Sequence, residues 1–136
     1  MNISAEIVQP FALFALLLIA KATIIGLSRF FFAGTGKIPY GQLTPGIPQG
    51  PRWYASLNRA YINGIEAFAL LAPAVLLHLT YKTPPSPSVA SLLWVFLMAR
   101  MLYTLVYLSM GYKVWCSIIW LVGFGATLVT WMMILT

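Results

Sequence analysis

Four long apolar runs, parted by segments rich in glycine, proline and charge, most constrain what this chain can fold into. They cover about 5–32, 57–81, 89–110 and 114–135, each roughly 20 residues or more, enough to cross the hydrocarbon core of a bilayer as a helix. Hydrophobic residues make up 61% of the 136 positions and charged residues only 7%, whereas a soluble domain carries about 25% charged residues. Too little polar surface exists to cover a water-exposed globule. The expected fold is therefore an all-α integral membrane protein, a four-transmembrane-helix bundle forming one domain over residues 1–136.

The net charge of +6 comes from cations scattered along an apolar chain. They form no basic stripe, which speaks against nucleic acid as a partner, and they read as topology markers instead. The single cysteine, Cys116, cannot form an intrachain disulfide. The N-terminus lacks the basic start and small-residue cleavage site of a signal peptide, so the first run is expected to be a retained span.

The segment of about 33–56 carries Gly34, Gly36, Pro39, Gly41, Pro45, Gly46, Pro48, Gly50 and Pro51, and is expected to be a long loop. Its length favours a functional role, either as a lid or, through Lys37, Arg52, Trp53 and Tyr54, as an interfacial anchor. The proline-rich segment 82–88 is short, which makes spans two and three antiparallel neighbours. Gly111, Tyr112 and Lys113 make the last turn. Loop one, bordered by Arg29 and Arg59, and loop three with Lys113 hold most of the positive charge. The positive-inside rule then puts loops one and three in the cytoplasm and both termini on the opposite side.

Few polar side chains interrupt the spans. Lys21 lies near the middle of span one and needs a partner, water or a deprotonated state; the alternative is a snorkelling lysine on a tilted helix. Pro73 should kink span two, and His78 near its far end reads as an interface residue rather than a ligand or base. Gly123 and Gly125 could allow a close helix approach in span four.

The polar constellation is concentrated in spans two and three. Arg59, Asn63 and Glu66 share one helix face at about 100° per residue, and so do Arg100, Tyr103 and Tyr107. Glu66 and Arg100 match in depth and oppose in charge, so a buried ion pair between them is expected. Such a pair could fix helix register or subunit contact. It could also belong to a pocket for a small anionic ligand with amide groups, given the cations Arg59 and Lys113, the two tyrosine hydroxyls and the Asn63 amide. No metal site, phosphate loop or catalytic triad is visible.

These residues resemble a known family. Arg59-Ala60-x-x-Asn63-x-x-Glu66 in span two, followed by Ala99-Arg100-x-x-Tyr103-x-x-x-Tyr107 in span three, look like MAPEG, the membrane-associated proteins in eicosanoid and glutathione metabolism, and in particular like microsomal glutathione transferases. The resemblance covers span count, loop pattern and both motifs, and implies a homotrimer. It implies glutathione as co-substrate, bound between neighbouring subunits near the cytosolic leaflet by Arg59, Asn63, Glu66, Arg100, Tyr103 and Tyr107, with no metal. It also implies that glutathione thiolate is added to lipophilic electrophiles arriving from the membrane lipids, or reduces lipid hydroperoxides.

The chain departs from the family pattern at the start of span four. An arginine thought to stabilise the thiolate is usual there, whereas this chain has Val114, Trp115 and Cys116, flanked by Lys113 and Ser117. Lys113, Ser117 and Arg29 are therefore the candidates for thiol activation. The expected function is a glutathione transferase with possible peroxidase activity, in which cations lower the thiol pKa. Two alternatives stand: a non-catalytic lipid-binding or scaffold trimer, motivated by the missing arginine, and a small proton-coupled transporter using Glu66. The second is disfavoured if Arg100 pairs with that carboxylate. The short chain without targeting peptide or retention tail points to a bacterial inner membrane.

Overall fold

A computed structural model describes residues 3–36, 50–81, 86–110 and 114–135. Lys37 and most of loop one, Lys82 and Lys113 lie outside the described residues. Four helices follow one another: α1 (Ile3–Gly34), α2 (Arg52–Tyr81), α3 (Pro87–Met110) and α4 (Val114–Leu135). All four are long and apolar enough to cross a membrane. Large apolar side chains are exposed on every helix, among them Leu16, Leu27, Leu76, Leu105 and Met132. In water such a surface would aggregate; in a bilayer it is the solvated face.

The described part of α2 begins at Arg52, ahead of the expected start near Leu57. The carbonyl of Pro51 accepts the amides of Tyr54 (2.9 Å) and Ala55 (3.1 Å), opening the first turn. Tyr54 is fully buried beside Ile25, Phe32 and Leu57, with its ring edge-on to Phe32 at 5.6 Å. Pro51 marks a helix start, but in so dense a run of prolines and glycines it looks like more loop. Pro10 lies inside α1, which begins at Ile3, so its missing N–H leaves the Glu6 carbonyl without its helical donor.

The helices alternate in direction. At one end of the bundle Arg52 Nη2 donates to the Met110 carbonyl (2.9 Å), tying the start of α2 to the end of α3. At the other end His78 is buried, and its Nε2 accepts the Ser86 amide (3.0 Å) just before α3 begins. His78 thus ties the end of α2 to the residue before α3 from inside the bundle. Among the described residues α3 packs most extensively on α4, while α1 packs on α2 and α3 but not on α4. The main core joins Phe14 and Leu18 of α1, Leu71 and Val75 of α2, and Leu93, Phe96 and Leu97 of α3. α1 and α2 approach closely at Gly64, where a Cβ would come 2.6 Å from Leu18 Cδ2.

Pro73 is accommodated within α2. A proline weakens the backbone bonding of the turn before it. Its missing N–H leaves the Ala69 carbonyl without a helical donor; one residue on, the Trp131 indole Nε1 donates to the Leu70 carbonyl (2.9 Å) and ties α4 to that turn.

Candidate functional site

The polar residues of α2 and α3 converge on the face of the bundle covered by α4. Arg100 is 4% exposed although it is charged. Its Nη1 donates to Asn63 Oδ1 (2.8 Å), and the guanidinium carbon lies 5.1 Å from the centre of the Phe96 ring. On the α4 side Gly123 leaves the room: a Cβ there would sit 3.3 Å from Arg100 Nε and 3.4 Å from Nη2. Gly123 therefore admits a side chain rather than a helix backbone, while Gly125 faces open space. The Nε of Arg100 is buried with no hydrogen-bond partner.

The expected Glu66–Arg100 ion pair does not form. Glu66 is exposed, and Arg100 bonds to Asn63, one turn earlier on the same face. Both residues nevertheless line one small cavity of about 80 Å³, together with Asn63, Leu70, Trp120 and Thr127. The match in depth is real, but the contact is not. A helical side chain leans toward the N-terminus, which decides which neighbour on a face is met. An amide partner also avoids the desolvation of a buried carboxylate. The absence of the pair removes the argument that Arg100 would disable Glu66 as a proton carrier.

A larger cavity of about 400 Å³ adjoins it, sharing Asn63 and Trp120 and lined also by Tyr103, Cys116, Ser117 and Leu121. That volume lies within the usual range of small-molecule pockets, roughly 300–1,000 Å³. Tyr103 and Tyr107 are buried with ring centres 5.6 Å apart, in a cluster with Ala60 and Cys116. Of the residues singled out in the sequence, Asn63, Glu66, Arg100, Tyr103, Tyr107 and Ser117 thus come together. Arg59 is exposed on α2 and Arg29 half-buried on α1; neither lines these two cavities. Lys113 lies outside the described residues. Gly123 was visible as a small residue in span four but not as room for Arg100, and Trp120 had no signal to set it apart from Trp115 and Trp131.

Lys21 is 4% exposed, so it does not snorkel. Its Nζ donates to Thr104 Oγ1 (2.7 Å), and that hydroxyl donates to the Arg100 carbonyl (2.8 Å). Its partner is a hydroxyl one turn along α3 from Arg100. Among the described residues no three His, Cys, Asp or Glu side chains come close enough to hold a metal ion.

The sequence profile of the MAPEG family matches residues 7–136, nearly the whole chain. The chain belongs to the MAPEG family. No curated protein and no solved structure matches it. MAPEG membership and the four spanning helices together make it an integral membrane protein, and the Asn63–Arg100 contact joins the two motifs that carry the MAPEG resemblance.

Proposed function

We propose that this MAPEG protein is a glutathione-dependent membrane enzyme that joins glutathione thiolate to lipophilic electrophiles and can reduce lipid hydroperoxides. The observation that carries the reading is the buried Arg100 guanidinium, bound to a neutral amide rather than a carboxylate, beside two adjoining cavities. A buried cation without a counter-charge favours an anionic ligand. Arg100 supplies positive charge, and Asn63, its oxygen taken by Arg100, has amide N–H groups to donate. Tyr103 and Tyr107 supply hydroxyls, and Glu66 a carboxylate for the ammonium group of glutathione. Ser117 is the thiol-activation candidate that lines the larger cavity.

Arg59 and Glu66 are charged, exposed and on a spanning helix, a costly arrangement against lipid. A homotrimer that seats each site between neighbouring subunits would cover them, with the electrophile entering from the bilayer. Loops one and three would face the cytoplasm of a bacterial cell, and both termini the other side of its inner membrane.

One observation favours a second reading. The described part of α4 brings Cys116 and Ser117 to the cavity but no cation, which suits a family member that binds glutathione or lipid without chemistry. Conjugation of a chlorinated nitrobenzene decides between them. In that reaction the thiolate sulfur bonds the ring carbon, the carbon–chlorine bond breaks and chloride leaves. Glutathione binding with turnover supports the enzyme; binding without turnover supports the second reading; neither binding nor turnover rejects the enzyme.

A further inference from the structure

Lys21 and Arg100 are the buried cations among the described residues. They are linked through one hydroxyl: Lys21 Nζ to Thr104 Oγ1, and Thr104 Oγ1 to the Arg100 carbonyl. The whole chain has two acidic residues. Glu6 lies near the start of α1, and Glu66 is exposed and makes no ion pair with either cation. α4 contains no basic residue from Val114 to Leu135. The positive charge in the bundle centre is therefore uncompensated, and half of it comes from α1, whose backbone packs on α2 and α3 rather than on α4.

We propose that Lys21 is an electrostatic partner of the site, stabilising bound thiolate from the α1 side, one turn along α3 from Arg100, where α4 offers no cation. This rests on the glutathione reading above. Lys21 touches no cavity described here and acts through its charge, so it is a positioning group and not a catalytic residue.

The groups that face it are few. From α3 they are Thr104 and, one turn away, Arg100; from α2, Tyr61, which packs on the clusters that hold Leu18 and Ile25 to either side of Lys21. Glu66 lies with Arg100 on the small cavity, and Tyr103, Tyr107 and Cys116 form a separate cluster with Ala60. With an effective dielectric of about 20, a unit charge ~10 Å away moves a thiol titration by about one pH unit, tenfold in thiolate at a fixed pH below the midpoint.

The test follows thiolate absorbance against pH at saturating glutathione, so that a change in affinity alone leaves the midpoint in place. The full-length protein is compared with Lys21→Gln, which keeps a donor for Thr104 but loses the charge, and with Lys21→Arg, which keeps the charge. The expected result is a midpoint about one unit higher in Lys21→Gln and restored toward wild type in Lys21→Arg. An unchanged midpoint in Lys21→Gln overturns the inference while leaving the glutathione reading intact. No glutathione binding by wild type overturns the reading and this inference together.

Discussion

Arg100 meets an amide where a carboxylate lies one turn away. The choice between Asn63 and Glu66 turns on side-chain direction along α2, which spacing does not encode, so the constellation was legible but its pairing was not. The same applies to Lys21, whose need for a partner follows from its position in span one, while Thr104 as that partner follows only from how α1 leans on α3. Two predictions belong at this scale. Glu66→Gln removes a charge that is not buried in a pair, so unfolding free energy should change by less than about 1 kcal/mol, against roughly 3–5 kcal/mol for breaking a buried ion pair. Denaturation of the two proteins in one detergent checks this, and a loss in the larger range would show that the carboxylate is paired. Gly123→Ala puts a methyl 3.3 Å from Arg100 Nε and 3.4 Å from Nη2, while Gly125→Ala meets nothing within 4 Å. Glutathione affinity should therefore fall several-fold in the first and stay within about twofold in the second, as measured by calorimetry; equal effects would separate Arg100 from the site.

Helices are where the sequence was most informative, because a run of twenty apolar residues has few other uses. Their ends were less so. The first turn of α2 hides behind Pro51 and Gly50, and is held by the burial of Tyr54 against Phe32, a contact between positions far apart in the chain. Pro73 was visible as a break in α2, but not the bond from Trp131 of α4 to the turn before it. Trp131→Phe keeps most of the ring and removes the donor to the Leu70 carbonyl. It should destabilise the bundle by about 1 kcal/mol and raise amide exchange around Pro73, as read by hydrogen exchange. Exchange unchanged there would show that the Trp131 bond does not steady the turn before Pro73. Gly64→Ala, with its Cβ 2.6 Å from Leu18 Cδ2, should cost about 1–3 kcal/mol because the leucine must turn away.

At the scale of the whole molecule apolar side chains form both the outer surface and most of the core, and Lys21 and Arg100 are the buried cations among the described residues. The family profile spans nearly all of the chain, and both motifs that signalled it lie on helices that meet at Asn63 and Arg100. Exposed Arg59 and Glu66 on α2 are the features that a single copy leaves uncovered. Native mass measurement in mild detergent should accordingly give three copies; a monomer under every condition that preserves glutathione binding would refute the proposed intersubunit site. On the proposed function, a buried, carboxylate-free guanidinium makes this bundle a glutathione receptor. Calorimetric titration of purified wild type and Arg100→Gln with glutathione decides whether it does. Saturable binding by wild type, weakened at least about tenfold in Arg100→Gln, is the predicted result; no binding by wild type, or equal binding by the two proteins, would contradict it.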